Sequence, residues 1–151
     1  MGAMQDEVYS SLCARRPQLR RQWETLLRTE RASSPLANPE ALVFMMDWTL
    51  GQVFEALKAT PGRLHAAQPR PECTCGLNPL LVYFRTMEQV LNEGLVLTQV
   101  DISHGPAGCH ETDLALLKRA IEQVAGREIG VFCALCQHNK HARPSAAASV
   151  H

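Results

Sequence analysis

The chain has 151 residues, and its 15 lysines and arginines balance its 15 aspartates and glutamates. A net charge of zero argues against a dedicated nucleic-acid-binding protein, because contacts with phosphates need surplus positive charge. No apolar run approaches the roughly 18 residues of a membrane span, and the N-terminus lacks the apolar core of a signal peptide. We therefore expect a cytoplasmic protein without nucleic-acid or membrane partners.

The first predicted helix covers roughly residues 5–31. Pro17 should break it, because proline cannot donate a hydrogen bond inside a helix and favours the first turn of a new one. After the break, Leu19, Trp23 and Leu26 recur at spacings of four and three, which predicts one buried face. The arginines of this segment alternate with glutamates, a pattern typical of a solvated helix face.

The second predicted helix begins at "NPEAL", where Asn38 is placed to cap it, and "TPG" at 60–62 ends it. Its stretch "LVFMMDWTL" is more apolar than a helix with one buried side requires. Phe44, Met45 and Trp48 could therefore meet a second subunit, a regulatory protein partner or a small apolar ligand, or could belong to the core. A homodimer is one partner that this pattern allows.

Two more helices follow a proline-rich and arginine-rich loop at 61–77. The third begins after a second Asn-Pro pair, at Asn78 and Pro79, and the fourth runs from about Thr112 to the "CALC" sequence. Gly126 and Gly130, inside the fourth helix, lower helical propensity; they could mark a close approach of two backbones or simply be tolerated. No segment shows the alternation of a strand.

Four amphipathic helices joined by loops predict an all-α fold. The expected arrangement is an antiparallel, up-down-up-down four-helix bundle whose first helix is broken near Pro17. Residues 1–139 would form this single domain, and residues 140–151 a flexible C-terminal tail.

This topology brings two cysteine pairs together. The third and fourth helices should lie side by side, antiparallel and of similar length, so "ECTCG" before the third comes level with "CALC" at the end of the fourth. Cys73, Cys75, Cys133 and Cys136 should then converge. Two short cysteine pairs from separate segments match the tetrahedral thiolate site of structural zinc, although C-x-C is tighter than the usual spacing.

Other interpretations of the cysteines stay open. His138 and His141 could replace a missing sulfur as ligands, and an iron–sulfur cluster would use the same thiolates. A reversible disulfide of the C-x-x-C pair would make a thiol redox sensor. A helix C-terminus opposes thiolate formation, however, so a metal explains this pair better than thioredoxin-like chemistry. Buried cysteines that only fill the core are the fourth alternative.

A second cluster, Cys109, His104 and His110, belongs to the opposite end of the predicted bundle and could form another metal site. No nucleophile–base pattern and no phosphate-binding glycine loop occurs, so the sequence does not argue for an enzyme. We expect a zinc-binding helical module with a sensory, regulatory or adaptor role. The alternatives are a thiol redox sensor and a small-ligand-binding or catalytic bundle.

Overall fold

The structure is a computed structural model, and it describes residues 4, 6–30, 38–58, 78–102 and 110–135. These ranges contain six helices and no strand, which confirms the predicted all-α class. The helices are α1 (Asp6–Ala14), α2 (Arg16–Thr29), α3 (Pro39–Val43), α4 (Met46–Lys58), α5 (Leu80–Ile102) and α6 (His110–Leu135). None of these six is long and apolar enough to cross a membrane. The predicted tail, 140–151, lies outside the described residues.

The described residues contain six helices instead of the four predicted, because the first and second predicted helices are each interrupted. Arg15 separates α1 from α2, and Pro17 lies in the first turn of α2, so the break occurs where proline predicts it. The interruption between α3 and α4, at Phe44 and Met45, was not predicted. Phe44, at the end of α3, keeps right-handed helical backbone angles.

Both predicted asparagine caps are present. The side chain of Asn38 accepts a hydrogen bond from the Glu40 N–H at 3.0 Å. The side chain of Asn78 accepts one from the Leu80 N–H at 2.9 Å. Each asparagine therefore satisfies one of the backbone donors that a helix N-terminus leaves without a partner.

The helix α5 runs antiparallel to α2. The indole of Trp23 contacts the start of α5, where its Nε1 donates to the carbonyl oxygen of Tyr83 at 3.1 Å. Arg15, before α2, instead forms an ion pair with Asp101 at the far end of α5. The two helices therefore run in opposite directions.

The helix α4 runs antiparallel to α1 and α2. Arg20 of α2 bonds Asp47 near the start of α4 at 3.2 Å, and Tyr9 of α1 donates to the carbonyl oxygen of Phe54 near its end. Consequently α4 and α5 point the same way, and the predicted up-down-up-down order is not observed. That order assumed short connections, whereas residues 59–77 provide enough chain to return to the other end of the molecule.

The helices α5 and α6 are antiparallel neighbours, as predicted. At one end Asn78 contacts Cys133 at 3.2 Å, and at the other Gln99 donates to Asp113 at 3.3 Å. The helix α6 also packs along α4. The end of the molecule that holds the start of α5 therefore also holds the C-terminal turns of α6.

Buried hydrogen bonds link three helices in the core. Trp23 Nε1 donates to Thr86 Oγ1 at 3.1 Å as well as to the Tyr83 carbonyl. The hydroxyl of Tyr83 meets Thr49 Oγ1 of α4 at 2.8 Å. All four side chains are buried, so these bonds satisfy polar groups that have no water to replace them.

Close packing against a glycine occurs at a position that was not predicted, Gly94. A methyl group built on Gly94 of α5 would overlap the side chain of Leu19 on α2. At Gly126 the same methyl group would meet no heavy atom within 4 Å, so the close approach predicted there is wrong. Gly94 has this role because α2 and α5 cross where its missing side chain leaves room.

Candidate functional site

The candidate site lies where the start of α5 meets the last turns of α6. Asn78 uses its side-chain oxygen to cap α5, which leaves its Nδ2 facing α6. This nitrogen donates to the Sγ of Cys133 at 3.2 Å and to the carbonyl oxygen of Ile129 at 3.4 Å. Both side chains are buried. A capping residue thus holds a sulfur 55 positions further along the chain.

This arrangement suits a sulfur that carries negative charge. A side-chain N–H aimed at a thiolate stabilises the charged form, and hydrogen bonds of this kind orient the ligands of metal sites. The C-terminal end of α6 has the opposite effect, because its carbonyl groups disfavour a negative charge nearby. In a Cys133 thiolate, the Asn78 hydrogen bond would therefore offset part of the electrostatic cost that the helix end imposes.

Only one of the predicted ligands is described. Cys133 lies on α6 as expected, whereas the other predicted ligands and substitutes lie outside the described residues: Cys73, Cys75, Cys136, His138 and His141. Within the described ranges no group of three or more histidine, cysteine, aspartate or glutamate residues is arranged to hold a metal. The predicted convergence of the four sulfurs therefore stays a prediction, and the described residues show only that Asn78, before α5, lies beside Cys133 of α6.

The opposite end of α5 and α6 holds a buried carboxylate, Asp113 of the "CHETD" sequence. Asp113, in the first turn of α6, accepts a hydrogen bond from Gln99. Both side chains are buried, and a helix N-terminus favours a negative charge at this position. Cys109 and His104 of the predicted second cluster lie outside the described residues, as does the side chain of His110.

An apolar groove runs between α5 and α6 near this opposite end. Its volume is about 760 Å³, and its lining consists of Asn92, Glu93, Val96, Leu97, Leu114, Ala115 and Lys118. Val96 and Leu97 are exposed apolar residues on its α5 wall. The spacing of apolar residues could not reveal the groove, because it depends on how two distant helices diverge.

The three residues predicted to form a partner surface differ in their exposure. Phe44 and Trp48 are exposed, but Met45 is only partly so and packs against the core. On α6, Val131 and Leu135 are also exposed. Leu135 continues the apolar periodicity of α6, so its exposure was not expected.

The basic face of α2 is paired within the chain. Glu24 accepts hydrogen bonds from Arg20 and Arg28, and Arg28 also binds Glu40 of α3. These contacts raise the pKa of the Arg28 guanidinium, and the Arg28 hydrogen bond lowers the pKa of the Glu40 carboxyl. The paired arginines fit the solvated face that the sequence predicts.

Comparison of this chain with protein-family models, with curated proteins and with solved structures finds no match. Its function therefore has to be argued from its own residues.

Proposed function

We propose that this protein is a zinc-binding helical module in which cysteine thiolates from the segment before α5 and from the end of α6 hold one metal ion. The observation that supports it is the buried contact between Asn78 and Cys133, because it places these two parts of the chain side by side. In this proposal α1 and α2 together form one interrupted helix of the bundle, and α3 and α4 form another. With α5 and α6 they make one four-helix bundle.

The length of the chain allows the other cysteines to reach Cys133. Cys75 precedes Asn78 by three residues, which span at most about 11 Å even when fully extended. Cys136 follows Cys133 by three residues and is under the same limit of about 11 Å. Zinc–sulfur bonds of about 2.3 Å require sulfurs only about 4 Å apart, a separation well inside these limits.

The ligand set that we propose is Cys73, Cys75, Cys133 and Cys136, with His138 and His141 as the substitutes. Sulfur ligands in two short pairs suit tetrahedral zinc, and we favour zinc over an iron–sulfur cluster. Bound metal would fasten the segment before α5 to the last turn of α6. Loss of the metal would release both, which is the physical basis for a sensory, regulatory or adaptor role.

The experiment that tests this proposal is elemental analysis of the full chain purified without added metal. We expect about one zinc per chain, and little in a Cys133→Ser, Cys136→Ser double variant. The matched control is Cys13→Ser, because Cys13 lies on α1, which packs on the far part of α5. This control should keep its zinc.

Several results would reject zinc in favour of another function. Near-zero metal in the parent protein excludes the proposal, and a coloured protein containing iron and sulfide replaces it with a cluster. Thiol alkylation distinguishes a zinc site from a thiol redox sensor, since zinc-bound thiolates resist alkylation until a chelator is added. Thiols that are blocked by peroxide and recovered by a reductant, without any metal, would identify a redox sensor.

The groove between α5 and α6 favours a second candidate function, the binding of a small apolar ligand. Its volume of about 760 Å³ is typical of ligand sites, and its walls are mainly apolar with Glu93 and Lys118 among the lining residues. A fluorescent apolar probe should bind the parent protein and bind a Leu97→Glu variant at least tenfold more weakly. Equal binding by both would assign the probe to another surface.

A further inference from the structure

Two rows of exposed apolar side chains lie at the end of the molecule that holds Cys133. On α4 and the turn before it, Phe44 is 89 % exposed and Trp48 is 49 % exposed. On α6, Val131 is 53 % and Leu135 is 78 % exposed. We name these four residues the apolar patch. Exposed apolar side chains that occur as a group, rather than singly, mark interaction sites.

The two rows adjoin each other. Arg127 of α6 donates a hydrogen bond to Gln52 of α4 at 3.1 Å, and the two helices run antiparallel. Trp48 and Val131 each lie four residues from this contact, about 6 Å further along their helices in the same direction. Trp48 therefore lies level with Val131, Leu135 follows one turn further on α6, and Phe44 lies in the turn before α4.

We propose that the apolar patch is the interface of a homodimer, in which the patch of one copy packs on the same patch of a second copy around a twofold axis. A twofold interface uses one surface twice, so a single compact patch is sufficient to build it. The proposal goes beyond the metal site and does not depend on it.

The exposed area of the patch is enough for a weak dimer. Taking roughly 200 Å² for a fully exposed large side chain, the four exposed fractions leave about 500 Å² open on each copy. Two copies would together bury about 1,000 Å², which is the lower limit for a biological interface. Tryptophan and phenylalanine are also the residue types that interfaces favour. We expect a dissociation constant in the micromolar range.

The electrostatics of the surface allow two copies to meet. The chain has no net charge, so two molecules do not repel each other at long range. Asp47, next to Trp48, is bonded to Arg20, and Arg127 at the inner edge is bonded to Glu128 and Gln52. Covering the patch therefore leaves these charged groups with the partners that they already have.

The shape of the patch favours a second copy over a small ligand or a docked peptide helix. Both of those ligands need a concave site. Neither the apolar groove nor the concavity beside α1, α2 and the end of α5 contains a patch residue. The patch side chains belong to adjacent helices, and a second copy presents the same apolar side chains to them.

The test is the molar mass of the full chain in solution, measured by light scattering after size exclusion and by sedimentation velocity. At about 100 µM, a dimer with a dissociation constant of about 10 µM is the main species. We expect twice the chain mass of 16.7 kDa. Phe44→Glu, on the α4 side, and Leu135→Glu, on the α6 side, should each raise the dissociation constant at least tenfold. Both substitutions alter exposed side chains, so both variants should fold. If one of them does not fold, the other one still tests the interface.

The matched control is Leu97→Glu, which places the same charge on an exposed leucine of the groove between α5 and α6. It should leave the dimer intact. A chain that stays monomeric at about 100 µM overturns the proposal and leaves the patch to a different protein. A dimer that tolerates both patch variants, or that only Leu97→Glu disrupts, also overturns it, because the interface then lies elsewhere.

Discussion

The side-chain amide of Asn78, two residues before α5, donates to the Sγ of Cys133 near the end of α6 at 3.2 Å. The same amide oxygen caps α5 through the Leu80 N–H. One buried side chain therefore both starts a helix and holds the sulfur that our metal proposal requires. This double role leads to the first prediction.

Asn78→Ala should lower the free energy of unfolding by about 2–3 kcal/mol, because it removes a cap and leaves buried groups without partners. In the zinc-bound protein it should also speed metal transfer to a chelator. Asn38→Ala is the control, since Asn38 makes the equivalent cap on α3, away from the Cys133 site. We expect a loss of about 1 kcal/mol there and unchanged chelator kinetics. Equal effects of the two variants would show that the sulfur contact contributes nothing.

Two glycine substitutions should have opposite effects. Gly94→Ala should lower the stability by about 1–2 kcal/mol, because its methyl group overlaps Leu19 in a packed core and outweighs the gain in helical propensity. Gly126→Ala should raise the stability by about 0.5–1 kcal/mol, because it gains the same propensity in open space. Urea denaturation measures both. A stabilising Gly94→Ala would mean that Leu19 moves aside freely.

The two tryptophans should differ sharply in their contribution to stability. Trp23→Phe removes the donor to Tyr83 and Thr86 inside the core and should cost about 2–3 kcal/mol. Trp48→Phe, at an exposed position, should change the unfolding free energy of the monomer by less than about 0.5 kcal/mol. Thermal unfolding at low protein concentration provides the comparison. Similar losses at both sites would contradict the buried network.

Alkaline pH should destabilise the protein through its two tyrosines. Burial, and then a hydrogen bond with the Cys13 side chain, raise the pKa of Tyr9 to about 12. Burial also raises the pKa of Tyr83. In the unfolded chain both titrate near pH 10. The pKa of each tyrosine is higher in the folded than in the unfolded chain. The neutral tyrosines therefore stabilise the fold fully below about pH 10, and this stabilisation is lost as the pH rises towards 12.

The near-ultraviolet absorbance of tyrosinate tests this prediction, because Tyr9 and Tyr83 are the only two tyrosines in the chain. The folded protein should show little tyrosinate at about pH 10, where the denatured protein is half ionised. Tyr9→Phe should shift alkaline unfolding to higher pH, since one of the two ionising groups is gone. Ionisation near pH 10 in the folded state would contradict the burial of Tyr83 and the partial burial of Tyr9.

The candidate site could be predicted only in outline. The antiparallel packing of the last two helices follows from their lengths and apolar periodicity, and it correctly places the start of α5 beside Cys133. The role of Asn78 was foreseen only as a cap. Its second hydrogen bond depends on where α6 lies, and no local pattern near residue 78 contains that information.

The sequence alone determined the features that depend on a few neighbouring residues. The helical class, the caps at Asn38 and Asn78 and the break before Pro17 all follow from local backbone geometry and apolar spacing. These preferences act within a turn or two, so they hold wherever the helices pack.

Only the tertiary structure decided how the helices are directed and which faces they cover. The parallel course of α4 and α5, the close approach at Gly94, the burial of Asp113 and the exposure of Leu135 each depend on a distant helix. Burial is a property of two surfaces, and a single segment of sequence specifies only one of them.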